Sequence, residues 1–547
     1  MTEPEITFAA PGPGTWELDA THRGRRPISP FLRDTLMREA GDGFTVVAEK
    51  YGLPLAEVRA ALINGCLYFR VIGVGEGDTP SKMPPAWVMK IMTRIHPELR
   101  RRNRTASRAW EEKRWRQEVD DWFDRERATV VATNLAFHRV DLTALSDDEL
   151  VDEVNARLAH FGTQARRNLE MHGGDLIPAG DFLAHCRRWG IDDGEATALL
   201  RGSSPATVET ATILGPVAKA IAELGSTPDS IESIRELDDD AKHAVDTWLE
   251  LHGWRIITTD DIDKPTLAER PSLQLAALLA ATTAPNDAGA PDVTATRAKV
   301  PASQRTAFDE LLAEARYGMQ QRDDNVGVRW NWSAGLLRRA LLECAQRLVE
   351  RRALARADDI FEITAEELGS LLTAGTGPTA AVLAERAEYR DRVEAAHAPD
   401  RLGPEEEPPP IDVFPPALAR ATAALFTVME AEGISTSSGD DGLRGIGIGN
   451  ASYQGTARVA TNADDALDRL QPGDVLIAPF TGPSYNSILP ILGALVVDAG
   501  GTMCHAAIVA REFAIPAVIG AAGATGQIPD GALVEVDPVA GRVMLID

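Results

Sequence analysis

The chain has 547 residues, four cysteines, and 82 acidic against 56 basic side chains, a formal charge of −26 at pH 7. That length exceeds what one hydrophobic core supports and implies about two to four domains. The charge repels phosphate backbones and anionic lipid heads, so nucleic acid and membrane are set aside as partners.

The opening MTEPEITFAAPGPGTWELD has neither the cationic start nor the apolar core of a signal peptide. No stretch approaches the roughly 18 to 20 apolar residues of a spanning helix. The expected compartment is therefore the cytoplasm. Cys66, Cys186, Cys344 and Cys504 form no C-x-x-C pair, which argues against a disulfide framework and against a structural zinc site, and no metal site is expected.

Residues 1–28 read as an N-terminal extension. From 29 to 397 the apolar spacing is mostly helical, an α-rich body with little alternation. The stretch Trp110–Arg127 puts Trp115, Val119 and Trp122 on one helical face. In Ala334–Arg352, Leu337, Leu341, Cys344 and Leu348 recur at spacings of four, three and four, which is core packing. Strand-like material is limited to runs such as Cys66–Ile72. Two stretches read as loops: Ala284–Pro301, and Ala398–Pro416 with its EEEPPP and FPP, whose prolines remove amide donors and extend their predecessors. Residues 398–442 form a linker that includes a helix-compatible piece, Leu418–Glu432, and a flexible Ser435–Gly442. After Leu443 short β-rich runs appear: GTARVA, DVLIAPF, ALVVDAG, IPAVIG, ALVEVD and RVMLI, with the helical HAAIVAREF among them. The expected fold is multidomain, a large mainly α-helical N-terminal body plus a C-terminal α/β domain over 443–547.

The chemistry concentrates in VVDAGGTMCHAAIVAREFAIPAVIG, residues 496 to 520. A strand ends at Asp498, Gly500 and Gly501 allow a tight turn and close approach, and His505 stands where a helix begins. Unpaired amides and the positive end of a helix dipole favour a phosphoryl group there. Neutral imidazole is a competent nucleophile that forms a labile N–P bond. Thr502 is placed to hydrogen-bond ring or phosphate, and Arg511, two turns on, to neutralise charge, although its register points it to a different face. Cys504 beside the histidine reads as packing or as a minor participant.

These residues carry a resemblance. GGTMCHAAIVAREFAIPAVIG closely resembles the mobile phosphohistidine domain of phosphoenolpyruvate synthase, pyruvate phosphate dikinase and their relatives. LRGIGIGNASYQGTARV, LQPGDVLIAPFTGPSY and DGALVEVDPVAGRVMLI are similar to its opening, middle and closing strands. The resemblance implies a swivelling α/β domain over Leu443–Asp547 and a phosphohistidine intermediate at His505. The domain order resembles rifampicin phosphotransferase and phenylphosphate-synthase enzymes, in which a helical domain binds the acceptor. GTWELDATHRGRRPISPF, LELHGWRIITTDDIDKP, and RYGMQQRDD with the helices after it look like pieces of that acceptor domain, although the family's Arg-Glu is here Arg322-Asp323 and the His252 segment reads HGWR.

The resemblance implies a dikinase-type reaction, ATP giving AMP and phosphate. No G-x-x-x-x-G-K-[ST] loop is present, and GVGEG at Gly73–Gly77 leads into DTPSKMPP rather than a helix. With the acceptor-like pattern near the start and the sequence closing after the phosphohistidine domain, ATP and Mg²⁺ are expected on a separate ATP-grasp subunit, in a heteromeric complex. The implied acceptor is a hydroxylated small molecule, a phenol or aromatic alcohol, as in aromatic compound degradation. The expected acceptor-side base is His252, and the expected phosphate clamps are Arg255, Arg316 and Arg322. RRRNRTASR, residues 100–108, reads as a solvated face or a partner-docking surface. Two rival readings are a phosphocarrier that signals through His505 without a small-molecule acceptor, and a helical body that only assembles subunits.

Overall fold

The computed structural model describes residues 6–19, 25–76, 84–257, 261–283, 292–404, 406, 408–433, 443–460, 465–466, 469–481, 485 and 489–546. Its contacts divide the chain into two units. One comprises Met1–Gly174, Trp254–Pro265 and Asn325–Thr422; the other comprises Asp175–Gly253, Thr266–Asp324 and Ala423–Asp547. The division falls within two continuous helices, Asp147–Arg188 and Pro416–Glu432. The expectation of a large helical body followed by a C-terminal α/β domain holds.

The first unit is helices around a small sheet. The helix Pro30–Tyr51 starts with proline in its first turn, where no amide partner is lost, and stops at Gly52, whose φ of 66° needs no side-chain accommodation. The helix Trp332–Glu350 buries Leu337, Leu341, Cys344 and Leu348 completely, so the four–three–four spacing is core packing, with about 1.5–3 kcal/mol per large apolar side chain. Two sequence expectations need correction. Trp110–Arg127 is not one helix: the chain turns at Lys113, φ 47°, between helices Pro97–Glu111 and Arg114–Asp121, and a π-turn follows at Trp122–Glu126. Trp115, Val119 and Trp122 are nonetheless all buried. The strand content of this unit also exceeds the expectation. Four strands, β1 (Trp16–Leu18), β2 (Leu55–Ile63), β3 (Cys66–Gly73) and β4 (Arg401–Leu402), form a sheet in the order β2-β3-β1-β4. Asn64 and Gly65 close the β2–β3 hairpin at φ of 51° and 86°, the conformation a two-residue hairpin turn requires.

The proline-rich stretch after Ala398 is partly anchored. Leu402 pairs with Trp16, while Val413 and Phe414 are buried with Leu99 and Leu418. Ser435–Gly442 and residues 284–291 of Ala284–Pro301 lie outside the described residues, while the rest of the latter includes the helix Thr294–Lys299. Two of the three acceptor-like segments of the sequence meet in this unit. The Asp261 carboxylate accepts hydrogen bonds from the Ser29 amide (2.5 Å) and Ser29 hydroxyl (2.6 Å), and Asp263 accepts from Arg390 at 2.7 Å and Arg26 at 3.3 Å. Glu362 completes this buried group by pairing with Arg390 at 2.5 Å. The acidic part of LELHGWRIITTDDIDKP is thus tied up in holding the unit together.

In the second unit, helices from the C-terminal third of Asp147–Arg188 through Arg305–Met319 are followed by a seven-stranded sheet. Its strands are β5 (Ile446–Ile448), β6 (Tyr453–Val459), β7 (Val475–Ala478), β8 (Ala494–Val497), β9 (Ala517–Ile519), β10 (Leu533–Asp537) and β11 (Arg542–Leu545), in the order β11-β10-β6-β7-β8-β9-β5. From β6 to β9 neighbours run parallel; β5, β10 and β11 are antiparallel to theirs. Every residue of β7, β8 and β9 is buried, as strands covered on both faces must be. One layer includes the helix His505–Glu512, through Ala506, Ala507, Val509 and Ala510.

Candidate functional site

His505 is the first residue of the helix His505–Glu512, reached from β8 by seven residues, Asp498–Cys504. Carboxyl ends of parallel strands are where α/β sheets place their ligands. Asp498 accepts hydrogen bonds from the Thr525 amide at 2.9 Å and from the Thr525 hydroxyl, and burial raises its pKa. The turn then passes through Gly500 at φ 132°, a region that glycine alone enters freely. Cys504 precedes the helix in extended geometry and no side chain caps that end, so first-turn amides remain available to an anion. Burial pushes the Cys504 thiol up, which keeps it protonated beside the histidine.

Two polar groups behind this helix end lack partners. Thr502 is 6% exposed and its Oγ1 has no hydrogen-bond partner. The Arg511 guanidinium donates through Nη1 to the Thr502 carbonyl, while its Nη2 is buried with no hydrogen-bond partner. Burial pulls the Arg511 pKa down to about 10, against the opposing influence of Cys504 and Asp192. A buried donor left unsatisfied costs about 1–3 kcal/mol. Two such donors beside one loop fit a group with strong acceptor oxygens, as a phosphoryl group has. Arg511 therefore comes back, by way of the Thr502 carbonyl, to the loop that precedes the histidine.

The loop lies against helical residues of its own unit. The Met503 amide donates to the Ala431 carbonyl at 2.7 Å. A Cβ on Gly501 would sit 2.2 Å from that same carbonyl oxygen, so the glycine there serves close approach to the helix Pro416–Glu432. Next to Ala431, Glu432 pairs with Arg322 at 2.7 Å. Arg322 Nη1 is buried without a hydrogen-bond partner; burial acts to lower this guanidinium's pKa, but the carboxylates of Glu432, Asp175 and Asp323 outweigh it and hold it above the usual value. Arg316 donates through Nε to the Leu199 carbonyl at 2.8 Å and keeps a buried Nη2 without a hydrogen-bond partner; burial lowers its pKa.

The expected residues thus separate. Gly500, Gly501, Thr502, Arg511 and, through Glu432, Arg322 adjoin the His505 loop. Arg316 stands on the helix Arg305–Met319, whose Phe308, Leu312 and Ala315 pack in the same cluster as Met503. His252 ends the helix Asp239–His252 and stacks on Trp248, with ring centroids 5.6 Å apart; Trp248 belongs to a different cluster, with Leu214, Val245 and Leu278. Arg255 belongs to the first unit, its guanidinium over the Trp332 ring at 5.7 Å. Met503, Glu432, Asp192 and the Asp498–Thr525 pair do not stand out in the sequence; only the adjacency of Met503 to His505 gives any signal. A cleft of about 630 Å³ in the first unit is lined by Arg38, Glu39, Arg166, Arg167 and Glu170 among others and contains none of the expected residues. Among the described residues no group of three or more His, Cys, Asp or Glu is placed to hold a metal ion.

A histidine heads a helix at the carboxyl end of a parallel sheet, and Thr502 and Arg511 of the same segment keep buried donors to spare. Residues 470–541 match the family model of the PEP-utilising enzyme mobile domain, and residues 179–341 match that of the rifampicin phosphotransferase fourth domain. An uncharacterised protein of Mycobacterium tuberculosis is 33% identical over 227 residues, 42% of this chain and 23% of that protein. A rifampicin phosphotransferase of Streptomyces sviceus is 25% identical over 337 residues, 56% of this chain and 35% of that enzyme. A phosphoenolpyruvate synthase of Aeropyrum pernix is 40% identical over 101 residues, 18% of this chain and 12% of that enzyme. The chain is thus similar, over these stretches, to PEP-utilising enzymes and to rifampicin phosphotransferases. It spans between about an eighth and a third of the length of these relatives.

Proposed function

We propose that this chain is the carrier and acceptor-binding part of an ATP-dependent phosphotransferase. A ring nitrogen of His505 bonds to the β-phosphorus of ATP as the bond to AMP breaks, and a water then takes the γ-phosphoryl group away as phosphate, which leaves the β-phosphoryl group on the ring. The N–P bond then breaks as the oxygen of a hydroxylated small molecule, a phenol or aromatic alcohol, bonds to phosphorus and its proton passes to a base. The observation that carries this reading is the pair of unpartnered buried donors, Thr502 Oγ1 and Arg511 Nη2, behind the helix headed by His505. Phosphoryl transfer depends mostly on alignment and charge neutralisation, and buried donors suit both. Arg322 and Arg316 are the proposed neutralising groups on the helical side, and His252 is the proposed base. ATP and Mg²⁺ are assigned to an ATP-grasp partner, and no step on this chain is routed through the metal. The setting is taken to be cytoplasmic.

The test mixes the chain with a candidate ATP-grasp protein and ATP labelled at the β- or γ-phosphorus. The β-label is expected in an acid-labile, base-stable protein adduct that His505→Ala abolishes. An adduct that persists in His505→Ala, or carries only the γ-label, sinks the reading. Release of AMP stimulated by phenols or aromatic alcohols would then identify the acceptor class.

A further inference from the structure

Met503 stands two residues before His505. Its flanking residues belong to the α/β domain, yet its side chain, 1% exposed, is buried in an apolar cluster of the helices with Phe182, Cys186, Leu199, Phe308, Leu312 and Val428. The α/β domain has its own cores, which do not include Met503. The same loop is fastened at two more points. The Met503 amide donates to Ala431 at 2.7 Å, and Gly501, with Gly433 at φ 84° opposite it, allows backbone contact that a Cβ at either position would block at 2.2–2.6 Å. Arg511 extends to the helical residues as well. A Cβ on Gly194 would lie 3.9 Å from its Nη2, and the Asp192 carboxylate acts on its charge. Asp192 meanwhile caps the helix Asp193–Ala198 through the Glu195 amide at 2.9 Å.

We propose that Met503 is a positioning residue that docks the phosphohistidine helix on the helical residues as an apolar plug. The proposal rests on the carrier reading of His505 and adds which residue holds the carrier at the acceptor side. The chemistry suits a reversible seat. Methionine is unbranched and fills irregular sockets without demanding one shape. A single plug and one main-chain hydrogen bond can separate far more readily than a continuous core. A leucine in place of Met503 would keep the apolar volume; a serine would not.

Hydrogen–deuterium exchange of the full chain, without nucleotide, tests this. In Met503→Ser, peptides covering 500–504 and 429–433 are expected to exchange at least about tenfold faster, with β6, β10 and β11 unchanged, because only a local opening is made easier. Met503→Leu is expected to restore the original rates. Unchanged exchange in Met503→Ser would overturn the proposal. So would acceleration that spreads through β6, β10 and β11, since Met503 would then be an ordinary core residue of the α/β domain. The measurement needs no phosphoryl transfer, so loss of docking and loss of the phosphohistidine reading are told apart by the labelling experiment.

Discussion

At the scale of single residues, the site is built from groups whose hydrogen-bonding capacity the fold leaves unused. Thr502 Oγ1 is the clearest case, because it is buried and makes no hydrogen bond in the folded chain. Thr502→Val should leave the thermal midpoint unchanged or slightly raised, since an unsatisfied buried hydroxyl is removed. Transfer from phosphorylated His505 should fall by about 10²-fold if the hydroxyl steadies the developing charge. A rapid-quench measurement of label loss, set beside a thermal melt of the same variant, checks both halves. His505 itself is legible from the amino-acid order, since two glycines and a helix-compatible run bracket it. The partners of Arg511 are not legible: helical spacing places its side chain on another face from His505, and only the fold shows the guanidinium donating back to the Thr502 carbonyl.

At the scale of elements, the decisive contact is between the turn after β8 and the end of the helix Pro416–Glu432. Gly500 and Gly501 look alike in sequence and do different things. The first supplies a backbone angle, φ 132°, while the second supplies space against the Ala431 carbonyl. Gly501→Ala is expected to force the two elements apart and to cost about 1–3 kcal/mol, as overpacking does. Chemical denaturation of the second unit should read this as a lower midpoint at unchanged slope. Six of the seven strands of the α/β domain are visible as short β-branched runs between turns. β5, three residues with two isoleucines flanking a glycine, carries too little pattern. The β2–β3 hairpin escapes a sequence reading although Asn64-Gly65 is a strong turn signal, because β2, LAEVRAALI, is rich in alanine and reads equally as helix.

At the scale of the whole molecule, acid sensitivity is expected from buried groups that the proposed reaction does not use. His160, within the helix Asp147–Arg188, has its Nε2 2.9 Å from Asn134 Oδ1. Burial, with a smaller contribution from Arg329, pushes its pKa down to about 4. The unfolded imidazole titrates near about 6.5, so between those values the unfolded chain binds a proton that the folded one refuses. The contribution of His160 to stability is therefore complete above about pH 6.5 and is lost as pH falls toward 4. Denaturation midpoints across that range should show a slope that is smaller in His160→Gln, and an NMR titration of His160 should centre near 4.

The amino-acid order by itself determined the two kinds of architecture and the place of the candidate histidine at a helix start, because helical periodicity, turn residues and a helix-heading residue are local properties. It also carried the acidic segment around Asp261, though not the role of that segment, because Ser29, Arg390 and Glu362 are far from it in the chain and come together only in the folded unit. The same holds for the candidate clamps. Arginines at 255, 316 and 322 are equivalent as letters, and burial alone separates the one stacked on Trp332 from the two with donors left over. Chain separation is what hid these relations: a contact such as that of Met503 with Ala431, or of Arg322 with Glu432, leaves no periodic trace and is decided only by tertiary packing.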